Sequence, residues 1–222
     1  MIFLYILLIV FVLYLIFIAF KSFNKNEFNM FGFNFVKYLL GWVFKFYYPF
    51  KSENKKVVPS DGPILLCGNH LHVMDQCLPI LCMKRPVHYM AKMEYFTNPK
   101  TRWFFKLSGC IPVNRQIHDE DAKSAALDVL NKGLALGLFP EGTRNKTEEL
   151  LLPFKFGAVS MAKKTNATIV PYAITGTYKF KTKDLKITFG TPFKVGDMEL
   201  VEANEKLYNE ILGLIKKEKG IK

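Results

Sequence analysis

The sequence is poor in the residues that build metal centres and disulfide frameworks. Its four cysteines form no Cys-x-x-Cys pair, and only four histidines occur among 222 residues. The cysteine spacing excludes the usual zinc and redox motifs, so we expect reduced, buried thiols. The shortage of imidazoles argues against a closed metal centre built from histidines.

Acidic residues are also scarce, and the first stretch of the chain carries no charge at all. There are 19 acidic residues against 31 lysines and arginines, which gives a formal net charge of +12. Such an excess favours an anionic partner, either nucleic acid or an acidic membrane surface. Half of the residues are apolar, which argues against a disordered chain. Nucleic-acid-binding proteins rarely begin with an uncharged run such as Met1–Phe20. We therefore predict membrane lipids, and no nucleic acid, as partners.

Met1–Phe20 is long enough to anchor the chain in a membrane. A helix of about 20 apolar residues crosses a hydrocarbon core of ~30 Å. A cleaved signal peptide is the alternative, but it needs a basic start and a shorter apolar stretch, and no lysine or arginine precedes Lys21. Between Lys21 and Val58 there are seven lysines and two acidic residues. This bias predicts a retained anchor in the cell membrane, with the rest of the chain on the cytoplasmic face.

The next segment, residues 28–50, is rich in aromatic side chains separated by lysines. Nine Phe, Tyr or Trp residues lie between Phe31 and Tyr48, together with Lys37 and Lys45. Aromatic rings and lysine ammonium groups both settle at a membrane interface, which predicts an interfacial amphipathic helix. A core helix that covers the sheet is the alternative, and the two can occupy different faces of one helix.

Beyond a polar, turn-rich boundary at residues 51–62, short apolar runs alternate with helical stretches. We predict strands at residues 63–69, 87–92, 110–115, 134–140, 168–174 and 185–190. Helices are predicted at residues 75–83, 98–107, 119–133 and 198–217. Alternating strands and helices, with almost continuously apolar strands, predict an α/β fold with a largely parallel central sheet flanked by helices.

Three polar clusters follow predicted strands, at the carboxyl ends where sites gather in such folds. The first, residues 69–75, contains His70, His72 and Asp75. It admits a metal site, a solvated helix start, or a general base oriented by a carboxylate. On a regular helix His72 and Asp75 share a face, being three residues apart, whereas His70 and Asp75 do not. Spacing alone therefore leans towards His72 as the base.

The other two clusters have the chemistry of a phosphate site. Gly142 and Arg144 follow the fourth strand, and a glycine beside an arginine offers backbone N–H groups and a guanidinium fork to phosphate. Arg115, at the end of the third strand, and Lys155 are placed to add charge. Glu141 is a candidate for orienting an arginine. The alternative is an ordinary surface loop in a lysine-rich protein.

Four blocks, in order along the chain, match the motifs of a known family. The blocks are Asn69-His70 followed by four residues and Asp75, then residues 109–115, 139–144 and 169–174. They resemble the NHx4D motif and the three following blocks of the lysophosphatidic acid acyltransferase (PlsC-like) family of glycerolipid acyltransferases. The resemblance covers about residues 63–174. Pro112 departs from it, because the family usually has a bulkier residue there.

The resemblance implies an enzyme that transfers a fatty acyl group to the sn-2 hydroxyl of lysophosphatidic acid. It makes residues 51–222 the acyltransferase catalytic domain and residues 1–50 the membrane anchor and interfacial helical segment. The donor would be acyl-CoA or acyl carrier protein thioester as co-substrate, with no other cofactor and no metal. His70, rather than His72, would be the base, which requires an irregular helix start at His70, and Asp75 would orient it. The acceptor phosphate would bind at Arg115, Glu141, Gly142, Thr143 and Arg144, and Pro171 would shape the acyl-donor pocket.

Three alternatives remain open at the level of the sequence. In the first, the protein is an acyltransferase whose acceptor is another lysophospholipid or glycerol 3-phosphate. In the second, it binds membrane lipids without catalysis. In the third, it is a metal-dependent hydrolase. The base–carboxylate pair argues against the second alternative, because lipid binding alone gives no reason for it.

Overall fold

The fold is organised around a seven-stranded sheet. The computed structural model describes Tyr14 and residues 30–114, 116–117 and 119–221. Within these residues the strands are β1 Lys51–Glu53, β2 Ile64–Gly68, β3 Val87–Lys92, β4 Ile111–Val113, β5 Ala135–Leu138, β6 Thr168–Thr175 and β7 Lys186–Phe189. The helices are α1 Met30–Tyr47, α2 Cys77–Cys82, α3 Glu94–Thr97, α4 Arg102–Leu107, α5 Glu120–Asn131, α6 Gly157–Thr165 and α7 Leu200–Lys219.

The strand order is β1-β7-β6-β2-β5-β3-β4. Every neighbouring pair is parallel except β6 with β7, which is antiparallel. The predicted α/β fold with a largely parallel sheet is therefore confirmed. β2 is buried along its whole length, because helices cover both faces of a parallel sheet.

Two hydrophobic layers sandwich the sheet. α1, α2 and α4 contribute to one layer, and α5, α6 and α7 contribute to the other. Alternate residues of β6 divide between them: Val170 and Tyr172 face the first layer, and Ile169 and Ala173 face the second. This is the two-residue period expected of a strand buried on both sides.

α1 buries one face and exposes the other. Phe33, Val36, Leu40 and Phe44 recur every three or four residues and are buried in the first layer, as a helix of 3.6 residues per turn requires. The outer face presents further aromatic side chains to solvent. The core-helix alternative thus holds for the inner face. Among the described residues, no helix is both long and apolar enough to cross a membrane. The predicted anchor, Met1–Phe20, lies outside the described residues apart from Tyr14.

Several element boundaries differ from the predictions. β1 lies in the boundary segment, residues 51–62, where no strand was predicted. α6 was not predicted, and two short helices replace the single one expected over residues 98–107. The break between these helices falls at Asn98, whose backbone is extended. The next residue is Pro99, and a proline disfavours helical geometry in the residue before it.

Two glycines make room for the rings of two tyrosines on neighbouring strands. Gly137 pairs with Tyr89 across β5 and β3, and Gly68 pairs with Tyr172 across β2 and β6. A Cβ atom on either glycine would lie 2.1 Å from a ring carbon of its partner. The two tyrosine hydroxyls are 3.3 Å apart, within hydrogen-bonding distance in the buried layer. Each ring therefore occupies space that another residue's side chain would fill.

Candidate active site

His70 lies just beyond the carboxyl end of β2 and is bonded to Asp75. The imidazole Nδ1 is 2.9 Å from Asp75 Oδ2, and the Asp75 carboxylate is fully buried. Asn69 fixes the start of the loop that carries His70. Its side-chain amide donates to the carbonyl oxygen of Ile174 at 2.9 Å and accepts from the Ile174 N–H at 2.7 Å. The end of β2 is thereby tied to β6, and His70 begins its loop from a fixed point.

The contact between His70 and Asp75 exists because the chain between them is not helical. Residues 71–76 form turns, and α2 begins at Cys77 rather than at Asp75. Asp75 Oδ2 also accepts from the backbone N–H groups of Leu71 at 2.6 Å and His72 at 2.7 Å. These bonds wrap the loop around the carboxylate. The helical spacing that favoured His72 does not apply, and the irregular geometry that the resemblance required at His70 is present.

His72 has a different environment. Its Nδ1 accepts from the Met74 N–H at 3.3 Å, and its ring stacks on Tyr178 with 4.2 Å between ring centres. Burial lowers the pKa of His72; the charge of Asp75 raises it and that of Arg144 lowers it. The imidazole of His72 therefore contacts the backbone and an aromatic ring, whereas that of His70 contacts the carboxylate.

Glu141 supports His70 from the opposite side. Its carboxylate accepts from the His70 N–H at 2.7 Å and from the Leu152 N–H at 2.9 Å. The side chain is 4% exposed, and burial raises the pKa of the Glu141 carboxyl, while those two backbone bonds lower it. Asn145 donates its backbone N–H to the His70 carbonyl at 2.7 Å. The sequence placed Glu141 in the phosphate site, but the structure gives it backbone partners, because a buried carboxylate must be satisfied by donors.

A cleft of about 470 Å³ opens beside His70. The His70 ring stacks on Phe139, with 4.0 Å between centres and 9° between planes. The lining residues combine apolar and polar side chains: His70, Tyr89, Met90, Val113, Asn114, Ile117, Asp119, Gly137, Leu138, Phe139, Gly142 and Lys155. The imidazole thus borders a space lined by apolar side chains and by both an acidic and a cationic side chain, Asp119 and Lys155.

Gly142 and Lys155 lie together at the rim of this cleft. Gly142 has a positive φ of 71°, which strains any residue with a Cβ. A Cβ atom there would lie 3.0 Å from Lys155 Cε. The turn is closed by the Gly142 N–H, which donates to the Phe139 carbonyl at 2.9 Å. The Lys155 N–H donates to the Pro140 carbonyl at 2.9 Å, so the lysine is attached to the same turn.

The remaining predicted site residues are dispersed. Thr143 and Arg144 are exposed on the loop after Gly142, and Arg144 is close enough to influence His72 electrostatically. Arg115 lies outside the described residues. Pro171 is buried in β6, where its carbonyl accepts from the Gly190 N–H at 2.8 Å. Among the described residues it does not line the cleft.

Sequence reasoning gave no role to three residues that shape this site. Asn69 ties two strands together, Phe139 stacks on the imidazole, and Tyr178 donates its hydroxyl to Asp75 Oδ1 at 2.7 Å. Asn69 and Phe139 belong to motif blocks, so their positions were visible although their contacts were not. Tyr178 is 103 residues from Asp75, and no local pattern indicates the contact. In the part of the chain that the structure describes, no three His, Cys, Asp or Glu side chains gather as metal ligands.

The chain is similar to known acyltransferases over most of its length. The family model described as Acyltransferase matches residues 49–175, more than half of the chain. The 1-acyl-sn-glycerol-3-phosphate acyltransferase of Bacillus subtilis is 30% identical over 162 residues, covering 71% of this chain and 80% of that protein. The enzyme of that name from Borreliella burgdorferi is 31% identical, covering 63% of this chain and 55% of its own length.

The fold is also shared with a solved structure. The crystal structure of the 1-acyl-sn-glycerophosphate (LPA) acyltransferase PlsC from Thermotoga maritima matches with a TM-score of 0.76 at 19% sequence identity. The match covers 94% of this chain and 88% of that one. At this identity the likeness establishes the shared fold.

Proposed function

The chain belongs to the Acyltransferase family, and from that premise we propose that it transfers a fatty acyl group from a thioester to the sn-2 hydroxyl of lysophosphatidic acid. The product is phosphatidic acid, a precursor of membrane phospholipids. The observation that carries the proposal is the 2.9 Å contact between His70 Nδ1 and the buried Asp75 carboxylate, at the edge of a cleft whose lining includes both apolar side chains and Lys155. The names of the relatives support lysophosphatidic acid as the acceptor.

In the proposed reaction His70 acts as general base. When Nδ1 carries the proton donated to Asp75, Nε2 is unprotonated and can take a proton from the acceptor hydroxyl. The hydroxyl oxygen attacks the thioester carbonyl and forms a tetrahedral oxyanion. Attack has formed the new carbon–oxygen bond, and collapse of the intermediate restores the carbonyl of the ester, breaks the carbon–sulfur bond and expels the thiolate, which the imidazolium protonates. Asp75 stabilises the imidazolium while it exists.

Lys155 is proposed to bind the acceptor phosphate, together with Gly142 and the predicted residues Arg115, Thr143 and Arg144. It lies on the cleft rim with Gly142, and an ammonium group beside a glycine turn suits a phosphate group. A phosphate fixed at the rim would hold the acceptor hydroxyl near the imidazole. Holding the reacting groups in place in this way supplies much of the rate of such a reaction.

Replacing Lys155 with alanine is expected to raise KM for lysophosphatidic acid by about 10–100-fold, because a hydrogen bond to a charged group contributes roughly 1.5–3 kcal/mol. The measurement is initial-rate kinetics at varied acceptor concentration and saturating donor. Lys164→Ala is the matched control, because Lys164 is an exposed lysine on α6 that does not line the cleft. An equal KM for Lys155→Ala and the wild type would remove Lys155 from the phosphate site.

The acceptor and donor are tested together with the purified full-length protein in detergent. Lysophosphatidic acid is offered with acyl-CoA and, separately, with acyl carrier protein thioester, and phosphatidic acid is quantified. Product with one donor only identifies that donor; product with both leaves both as substrates. If neither donor gives phosphatidic acid, the acceptor assignment is wrong, and the same assay with lysophosphatidylglycerol, other lysophospholipids and glycerol 3-phosphate identifies the acceptor.

We also propose that the enzyme works at the cell membrane, with its catalytic domain on the cytoplasmic face. The outer face of α1 supports this. Tyr38 is 79% exposed and Trp42 is 63% exposed, and both border a groove that also contains Lys37 and Lys45. Exposed aromatic rings interleaved with lysines suit the headgroup region. The predicted anchor, Met1–Phe20, would hold this face at the membrane from which both acyl chains are supplied.

Trp42 reports directly on this placement, because the chain has two tryptophans. In a Trp103→Phe variant reconstituted into vesicles, Trp42 emission is expected to shift to the blue and to be quenched by brominated acyl chains. A Trp42→Phe variant supplies the signal of Trp103 for comparison. Emission from Trp42 that is insensitive to brominated lipid would place the outer face of α1 away from the bilayer.

A further inference from the structure

Tyr178, in the loop between β6 and β7, contacts the catalytic pair directly. Its hydroxyl donates to Asp75 Oδ1 at 2.7 Å. We propose that Tyr178 is a positioning residue that fixes the Asp75 carboxylate so that Oδ2 stays on His70. The inference deepens the proposed function and rests on it, because it assigns a role to Tyr178 in the same reaction.

The first argument is the division of donors between the two carboxylate oxygens. Oδ2 accepts from the imidazole of His70 and from two backbone N–H groups of the loop. Within the described residues, the donor to Oδ1 is Tyr178. The Asp75 side chain has no exposed surface, so bulk water does not replace a missing donor, and an unsatisfied buried carboxylate oxygen is costly. Without the tyrosine hydroxyl, the carboxylate would be free to rotate, and Oδ1 would compete with Oδ2 for the remaining donors.

The second argument is that the phenol is held in place by two neighbouring rings and by the attachment of its loop. One face of the Tyr178 ring stacks on His72 at 4.2 Å, and Tyr48 packs against it edge-on at 5.9 Å. The loop itself is attached to the end of α1, because the Lys181 N–H donates to the Tyr47 carbonyl at 2.9 Å. A donor fixed in this way orients the carboxylate without further ordering during the reaction.

The phenol also has the protonation state that the role requires. Burial, together with the negative charge of Asp75 and the hydrogen bond to it, raises the pKa of Tyr178 above its usual value. The hydroxyl is therefore protonated, and able to donate to Asp75, at neutral pH. Tyr178 does not line the cleft among the described residues, so its effect on the reaction passes through Asp75 rather than through contact with substrate.

The direct test is Tyr178→Phe in the full-length protein, because it removes the hydroxyl and keeps the ring between His72 and Tyr48. We expect kcat to fall about tenfold, as loss of a hydrogen bond to a charged group predicts, with KM for lysophosphatidic acid nearly unchanged. Tyr95→Phe is the matched control: Tyr95 is on α3, its ring stacks on Phe105, and the variant is expected to keep the wild-type kcat. An unchanged kcat, or a rise confined to KM, would overturn the proposal.

A double variant separates positioning from substrate contact. In an Asp75→Ala background the acceptor of the tyrosine hydroxyl is absent, so adding Tyr178→Phe is expected to lower kcat no further. A further tenfold loss in the double variant would mean that Tyr178 acts independently of Asp75, and the positioning role would be wrong. Thermal unfolding of each variant checks that the losses do not come from unfolded protein.

Proton NMR gives a readout that needs no substrate. The proton between His70 Nδ1 and Asp75 is expected at low field in the wild type and in Tyr95→Phe. It is expected to be shifted or broadened in Tyr178→Phe and to disappear in His70→Ala. If no acyl transfer is found with any substrate, the proposed function fails while this spectrum still tests the contact. A low-field proton that is identical in Tyr178→Phe and the wild type would overturn the positioning role.

Discussion

Replacing His70 with alanine is expected to lower kcat for acyl transfer by ~10²–10⁴-fold, the range that general-base catalysis typically contributes. The reason is specific to this imidazole: its Nδ1 is 2.9 Å from a fully buried carboxylate, its ring stacks on Phe139, and it borders the cleft. An alanine removes the proton acceptor and leaves Asp75 Oδ2 with its two backbone donors, the N–H groups of Leu71 and His72. The assay is single-turnover formation of phosphatidic acid by purified variants, so that slow product release does not hide the chemical step.

His72→Ala is the matched comparison, since it removes an imidazole two residues away in the same loop. The His72 backbone N–H, which donates to Asp75, survives the substitution, and the lost ring contacts are with Met74 and Tyr178. Most of the activity is therefore expected to remain. If activity disappears in His72→Ala and persists in His70→Ala, the roles of the two histidines are reversed, and the base is misassigned.

The two histidines also show why sequence spacing did not decide the site. The argument from a regular helix assumed that Asp75 lies within one, whereas α2 begins at Cys77. Hydrogen bonds from the Leu71 and His72 N–H groups to Asp75 replace helical turns, and they bring residue 70 to residue 75. A carboxylate that competes with the helix for backbone donors is a common way for a helix to start late. Spacing rules do not include that competition.

Most of the sheet could be predicted because its strands are short, apolar and bounded by turns. β3, for example, was predicted at the residues where it occurs. β1 was missed because it is an edge strand of three exposed residues, Lys51–Glu53, with no buried face to produce a pattern. α6 was missed for a related reason: its buried residues, Ala158, Val159 and Ala162, are mostly too small to give a strong helical period.

The contacts that complete the site were beyond sequence reasoning because they join distant segments. Glu141 and His70 are 71 residues apart, and Tyr178 and Asp75 are 103 apart. The motif places Glu141 near the site and, taken alone, assigns it to the phosphate-binding group. Its backbone partners, the N–H groups of His70 and Leu152, are visible only in the structure. In the folded chain Glu141 accepts from both N–H groups, and this is a structural reason for an acid beside the cleft.

The second large effect is expected at Gly137, which lines the cleft together with Tyr89. Gly137→Ala is expected to destabilise the protein by about 3 kcal/mol, at the upper end of the usual cost of overpacking a core. The added Cβ would lie 2.1 Å from Tyr89 Cζ, a distance that requires the ring to move. Tyr89 is 4% exposed, and its hydroxyl meets that of Tyr172, which itself covers Gly68. The contact between the two hydroxyls opposes a movement of the Tyr89 ring, so the strain is expected to reach the second tyrosine.

For a domain of this size the unfolding temperature is expected to fall by roughly 6–12 °C, at about 2–4 °C for each kcal/mol. Gly213→Ala is the matched control, because Gly213 is inside α7 with no heavy atom within 4 Å of an added Cβ. A glycine-to-alanine change inside a helix stabilises by roughly 0.5–1 kcal/mol, so this variant is expected to unfold at or above the wild-type temperature. Equal unfolding temperatures for the two variants would contradict the close approach of Tyr89 to β5.

Activity measured well below the unfolding temperature then separates stability from function. Tyr89 and Gly137 both line the cleft beside His70, so a displaced Tyr89 ring changes the space that receives substrate even in the folded protein. Gly137→Ala is therefore expected to lose acyl transfer at temperatures where circular dichroism shows it folded, while Gly213→Ala keeps it. A folded Gly137→Ala variant with full activity would mean that Tyr89 packs against the sheet without shaping the cleft.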